Sequence, residues 1–421
     1  MSKMKKLMGA SLVALMTAGV NAEDIAITGG TAFTDGGKGK VENATVLIHD
    51  GKIQSVSAGG EVPAGYRTVA ADGKWVTVGF MVSGTTLGLM EVSLSGNIND
   101  SRASKTANGK GLEVGYAFNP ASTLIPNTRI EGVTRAVTGF AGSKDMWLGQ
   151  SAVIALAGDD MIVAPHVALS VDMDEGAANS NFGSRAGLWD AVITTLENAR
   201  PADEEAGKDD DKKAKKPKYD SGKAALDRVM KGEMPLLVEV ERKADILQTI
   251  ALKKRFGIDV IITSGAEAWM VADELAAAGI PVVMDPTRDL PEDFDSLGNT
   301  GAAAARLHAA GVKVAFVGPD THNARLVVQN AGNAVAMGMP WDAAVDAISK
   351  NPAEIFGVAD SYGTLTPGKD ADVVVWDGDP LEVMSSPDAV FIRGEEVPLV
   401  SRQTKLRDRY KDITRAPAYR K

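Results

Sequence analysis

Cysteine is absent from the 421 residues, and histidine occurs only four times. Without cysteine there is no thiolate nucleophile, no sulfur-ligated zinc and no disulfide, so the fold has to rest on a hydrophobic core. The imidazoles available for ligation or base chemistry are His49, His166, His308 and His322 alone. A cluster of basic charge is missing too, in a chain of net charge −10, which argues against nucleic acid or an anionic membrane as partner. After residue 22 no apolar run approaches the roughly 20 residues of a membrane-crossing helix, so no membrane span is expected.

The chain opens on Lys3, Lys5 and Lys6, an apolar stretch over 7–20 and the small-residue step Val20-Asn21-Ala22. That pattern predicts a secretory signal over 1–22 and an exported protein starting at Glu23, periplasmic in a Gram-negative source. The length allows one large α/β barrel with a smaller companion domain. β-rich pieces cover 24–34, 44–57 and 66–80, and the last two turn at Asp50-Gly51 and Asp72-Gly73, both hairpin signals. They need a partner sheet, which the β-rich segments 364–380 and 389–397 supply from the other end of the chain.

Between these ends, short apolar runs over 132–138, 152–156, 161–169, 236–240, 259–263, 281–284 and 313–317 alternate with amphipathic stretches over 243–256, 267–278, 301–310 and 325–337. The alternation predicts a parallel α/β sheet whose length suits a (β/α)8 barrel. Residues 203–218 interrupt it with six acids and six lysines, a solvated insert with too little apolar surface to order itself. The basic segment 401–421 reads as a tail on the surface.

Residues 75–92, WVTVGFMVSGTTLGLMEV, carry an apolar β-branched run into a turn of small polar residues. This resembles the first barrel strand of the amidohydrolase superfamily, in which a "VTPGxID" run leads to a His-x-His pair. Gly84 and Thr86 hold the two histidine positions here, and Val82 holds that of the Asp before them. The run Gly368-Lys369-Asp370-Ala371-Asp372 followed by three valines is close to the family's "PGKDADLVV" phrase. The resemblance implies a TIM barrel with a composite β-sandwich built from both chain ends. It also implies hydrolysis of amide or cyclic C–N bonds by water on one or two divalent metals, zinc among them, with an Asp moving the proton.

On the same resemblance Asp320, after the run 313–317, matches the family's ligand and proton-shuttle Asp, with His322 beside it as a ligand or binding residue; both could equally cap the following helix. Glu239 and Glu241 stand where related imidazolonepropionase-like enzymes carry histidines, and are either substitute metal ligands or acids at a helix start. The next strand ends in Thr263-Ser264-Gly265, with no ligand. His49 reads as a surface residue, His308 as a helix C-terminal one, and His166 as a half-buried side chain on a strand that could reach the barrel mouth. Arg129, Arg135 and Arg185 suit carboxylate recognition, Arg129 and Arg185 being the binding candidates, against a structural role for at least two of the three.

Three functions are consistent with this. One is an amidohydrolase with a degenerate metal site, acting as a binding or partner subunit for a small amide or carboxylate, as a homo-oligomer or with an active paralogue. A second is a working C–N hydrolase with an atypical site, and the third a structural or scaffolding protein. The expected division is 1–22 signal, 23–75 sandwich, 76–358 barrel and 359–421 sandwich and tail.

Overall fold

The computed structural model describes residues 23–92, 98–200, 219–319 and 321–411; the expected signal 1–22, the charged insert 203–218 and Asp320 lie outside them. The N-terminal strands are β1 (Ile25–Asp35), β2 (Lys38–His49), β3 (Lys52–Ala58), β4 (Arg67–Ala70) and β5 (Trp75–Val78). β1, β2 and β3 pair antiparallel in succession. Asp50 and Gly51 take φ of 48° and 71°, the two positive values that a tight hairpin needs.

Asp72-Gly73 does not make the expected hairpin. β4 and β5 both lie parallel to β1, β4 along Ile25–Thr28 and β5 along Thr31–Ala32, so this turn steps the chain along one edge without reversing it. β1 is bulged there, and a Cβ on Gly29 would stand 2.5 Å from Asp72 Oδ1.

The run 75–82, expected as one barrel strand, is two strands broken at Gly79. β5 stays in the β domain, and β6 (Phe80–Thr85) opens the barrel. Gly79 donates its N–H to Asp372 O at 2.9 Å and accepts from Tyr362 Oη. A Cβ there would stand 2.2 Å from Thr134 Cγ2, so only glycine lets the two domains approach so closely. The barrel therefore begins at Phe80, four residues later than the sequence suggested.

After β6 come the short paired strands β7 (Arg102–Ala103) and β9 (Gly142–Ser143), with β8 (Val133–Thr138) between them in sequence. The remaining barrel strands are β10 (Trp147–Ala155), β11 (Ile162–Asp172), β12 (Leu236–Val240), β13 (Val260–Ser264), β14 (Val282–Met284) and β15 (Val314–Phe316). Eight of them form one sheet in the order β6-β8-β10-β11-β12-β13-β14-β15. Neighbours are parallel except β10, which is antiparallel to both β8 and β11. The all-parallel expectation fails at β10 because 139–146 and 156–161 are too short for a crossover, which takes a dozen or more residues. At the seam, β6 and β15 both bond to one intervening segment, Met81 N to Ile348 O at 2.7 Å and Phe316 N to Ala347 O at 3.0 Å.

Helices α1 (Leu124–Arg129), α2 (Glu175–Asn181), α3 (Arg185–Asn198), α4 (Ser221–Met230), α5 (Lys243–Phe256), α6 (Ala272–Ala278), α7 (Ala303–Ala309), α8 (Val327–Ala336), α9 (Trp341–Asp346) and α10 (Lys350–Ile355) accompany the barrel. α5 has the bounds read from the sequence. α2, α3 and α4 begin on the capping side chains of Asp174, Ser184 and Asp220, which satisfy helix N–H groups left without intrahelical partners.

Strand alternation sorts the core. Phe80, Val82, Val238, Val240, Ile262, Val282 and Phe316 pack outward with the helices, while Met81, Ala168, Leu237, Ile261, Val283 and Ala315 fill the interior.

The C-terminal strands are β16 (Val373–Trp376), β17 (Pro387–Ile392) and β18 (Glu395–Glu396), followed by α11 (Arg402–Tyr410). β16 pairs antiparallel with β5, Val78 opposite Val373 and Trp75 opposite Trp376, so both chain ends share one eight-stranded sheet. Arg135, 2% exposed, locks this domain to the barrel. Its Nε donates to Asp372 Oδ2 at 2.7 Å and its second nitrogen to Asp370 Oδ2 at 2.9 Å. Asp370 also takes Lys52 Nζ at 2.5 Å. The charged part of the Gly368–Asp372 phrase is thus the counter-charge for a buried barrel arginine.

Within the segment expected as a surface tail, α11 has no buried residue and starts on a capping box of Ser401 and Thr404. Among the described residues no helix is long and apolar enough to cross a membrane.

Candidate ligand site at the barrel mouth

The alternation that places Met81, Ala168, Leu237 and Ile261 inside the barrel also places Ser83, Ser170, Glu239 and Thr263 inside, two residues nearer the C-terminal strand ends. An apolar floor is therefore overlaid by a polar layer, and above it opens a cavity of about 270 Å³. The C-terminal face is where parallel barrels carry their sites. A larger cavity of about 690 Å³ lies at the opposite end, among the strand starts Pro235, Asp259, Pro281 and Lys313. Four of its charged side chains pair with one another, Lys253 with Asp259 at 3.2 Å and Lys313 with Glu354 at 2.6 Å. We take the mouth as the site because the inward polar layer converges there.

Ser83 is 2% exposed, lines the mouth, and its Oγ has no hydrogen-bond partner among the described residues. Thr85 Oγ1, next along β6, donates to Val137 O at 3.1 Å. Glu239 lies in register between Asp172 of β11 and Thr263 of β13. Burial first, then the negative charges of Asp172, Asp174 and Glu241, push its carboxyl up to about 8. Asp172 is likewise raised, chiefly by burial, although its Oδ1 accepts the Asp174 N–H at 3.0 Å.

Glu241 is engaged elsewhere: it accepts Ala266 N–H at 2.7 Å and pairs with Arg288 at 2.9 Å. Burial, partly offset by these partners, raises its pKa. Of the two substitute carboxylates, only Glu239 lines the cavity.

The other candidates do not meet at the mouth. His322 is exposed in the short 3-10 helix Thr321–Leu326 and is not among the cavity's lining residues. Asp320, its neighbour in sequence, is outside the described residues. Arg129 precedes β8 at the opposite end of the barrel and donates to Leu156 O at 3.2 Å. Arg185 is taken by Asp295 at 2.5 Å, inside a network with Asp245 and Arg242. His166 lines the larger cavity at the far end, 3.8 Å from Glu113; burial and then the Arg228 charge lower its pKa. His49 pairs with Asp24 at the surface of the β domain, and His308 is an exposed residue of α7.

A hydrolytic metal centre needs about three protein ligands and an open position. Among the described residues no three His, Asp or Glu side chains are grouped to hold a metal ion. At the position of the family's first histidine, a Cβ on Gly84 would stand 3.0 Å from Val317 Cγ1, so a side chain there requires Val317 to shift. The described residues do not fit the family's divalent metal.

Sequence reasoning passed over Ser170 and Asp172. The signal was available: in the run 161–174, both fall at even positions continuing from the apolar Ala168, the inward parity of a strand.

The amidohydrolase family model matches residues 220–397. A crystal structure of an amidohydrolase from Thermotoga maritima MSB8 is similar over 89% of this chain and 99% of that one, with 25% identity and a TM-score of 0.78. Molinate hydrolase shares the fold, at 18% identity and a TM-score of 0.53 over 90% of this chain and 95% of that one. The amidohydrolase tasK of Hapsidospora irregularis is 35% identical over 96 residues, a match spanning 23% of this chain and 10% of that protein. The barrel, the β domain shared by both chain ends and these likenesses together support assigning the chain to the amidohydrolase superfamily.

Proposed function

We propose that this superfamily member binds a small amide-type molecule at its barrel mouth and works as a binding or partner subunit, without the metal-activated water of C–N bond hydrolysis. The observation that carries this is the inward layer itself, where Ser83, Ser170, Glu239 and Thr263 offer hydroxyls and one carboxyl and the histidine-pair positions are Gly84 and Thr86. A layer of this kind orients a polar ligand by hydrogen bonds. Of the sequence's two ligand classes the amide is favoured over the carboxylate, because no Lys, Arg or His lines the cavity among the described residues. Export, with the mature chain starting at Glu23, belongs to the same proposal and is checked by N-terminal sequencing of secreted protein.

One observation favours the alternative of an active C–N hydrolase with an atypical site: the chain leaving β15 reaches the cavity at Gly318, two residues in sequence before Asp320 and four before His322. The test is melting temperature and amide turnover measured together, over cyclic amides with and without added zinc. The binding reading expects stabilisation by some of the amides and no turnover. Zinc-dependent turnover that disappears in Asp320→Ala establishes the hydrolase instead.

A further inference from the structure

The mouth's electrostatics narrow its ligand further than the hydroxyl layer does. Glu239 is the charged side chain lining the cavity among the described residues, and Asp172 sits beside it in register. Asp174 and Glu241 add negative charge from nearby. The arginine in reach, Arg288, is taken by Glu241 at 2.9 Å and lies 3.8 Å from Glu292. A ligand entering here meets a carboxyl with no cationic side chain beside it in the cavity lining among the described residues, and in a site with low-dielectric walls a cation that takes the place of its proton is strongly held.

Acidic residues alone would not define a site. The second observation is Ser83, whose hydroxyl, 2% exposed, lines the same cavity and has no partner among the described residues. A buried hydroxyl without a partner is costly unless something fills its hydrogen-bonding capacity. Val137, Phe140, Leu148 and Leu237 supply apolar lining. At about 30 Å³ per water, the 270 Å³ cavity has the volume of roughly nine waters, enough for a short carbon skeleton with one polar head.

Resting on the reading of the mouth as the ligand site, we infer that it selects a small organic cation, an aliphatic amine or an amide that carries one, with the ammonium on Glu239 and a hydrogen bond to Ser83. An ammonium suits this donor set where a metal does not, since it needs separate acceptors and no convergent shell of carboxylates. It also replaces the proton that burial and the like charges otherwise hold on Glu239.

Four-carbon probes of equal length test this on the full-length protein: n-butylammonium, butyramide and butyrate, titrated calorimetrically near neutral pH into wild type, Glu239→Gln and Ser83→Ala, with crystals soaked in each probe. The inference expects butylammonium to bind most tightly, to lie in the mouth with its nitrogen on Glu239, and to lose about tenfold or more in affinity in Glu239→Gln. Butyramide should be nearly indifferent to that change, and Ser83→Ala should weaken the cation a few-fold. Binding of butyramide or butyrate in the mouth, with no preference for the cation or no loss in Glu239→Gln, overturns the cation inference and leaves the mouth as the ligand site. Should every probe bind elsewhere, or none bind at about 10 mM, the cation inference and its basis in the mouth both fail.

Discussion

Replacing Asp372 by asparagine removes one negative charge from the joint between barrel and β domain at almost constant volume. Asp372 is 0% exposed and Arg135 2%, and they are joined by contacts of 2.7 and 3.1 Å. Breaking a buried ion pair on one side costs about 3–5 kcal/mol, mostly because the remaining charge is stranded out of water. Asp370, at 2.9 Å from Arg135, keeps part of the pairing, so the lower half of that range applies. With an unfolding entropy of about 2.1 cal/mol/K per residue, a cooperatively unfolding chain of 421 residues gains roughly 0.9 kcal/mol/K. The melting temperature should therefore fall by about 3–5 °C, measured calorimetrically at neutral pH. Asp370→Asn should cost less, because Asp370 is partly exposed and Arg135 retains both Asp372 contacts. Replacing Arg135 and Asp372 together by apolar residues of similar size should recover part of the loss. A shift below about 1 °C in Asp372→Asn would refute the reasoning, since it would mean that this pair does not lock the domains.

Other consequences can be measured on the same protein. Because Glu239 is raised from its ordinary 4.5 to about 8, the folded state holds its proton over a window in which the unfolded chain has released it. The contribution of this group to stability is thus greatest below about 4.5 and declines as pH rises towards 8. Glu239→Gln removes the decline: in thermal melts the variant should exceed wild type near pH 8.5 and match it near pH 4.5, and a gain of equal size at both pH values would count against the assigned burial. Gly79→Ala forces a methyl against Thr134 at 2.2 Å and should cost about 1–3 kcal/mol in chemical denaturation; a neutral result would mean that the joint yields easily. Histidines at Gly84 and Thr86 together should not create zinc-dependent amide hydrolysis, since the other strand ends among the described residues add no imidazole. Zinc-dependent turnover in that double variant would show that the site was lost at this pair alone.

Much of the fold was legible in the sequence because it rests on periodicity. β12 and α5 have the bounds that the apolar spacing indicates, and the Gly368–Asp372 phrase marked the C-terminal half of the β domain. Direction was harder to read. An apolar run such as 152–156 carries no sign of whether it lies parallel or antiparallel to its neighbours, and only the shortness of 139–146 and 156–161 excluded crossovers. The break at Gly79 was concealed because the apolar run continues through it, and what forces the break is the approach of Thr134 and Tyr362 from distant parts of the chain. At the site, Gly84 and Thr86 at the histidine-pair positions were visible directly. A structural role for at least two of the three arginines was expected, but their partners, Asp372 for Arg135 and Asp295 for Arg185, are more than a hundred residues away and could not be named from the sequence. Nothing in the sequence around Ser83 signals that it is buried in the cavity that Glu239 also lines, because the two strands meet only through the closed sheet.

Metal stoichiometry is the measurement that bears most directly on the central claim, that the barrel mouth is a ligand site without the family's metal centre. Protein purified without chelator and dialysed against trace zinc should contain less than about 0.1 divalent metal ion per chain by elemental analysis, because a functional centre requires about three convergent protein ligands. About one metal per chain, lost in Asp320→Ala or Glu239→Gln, would contradict the account.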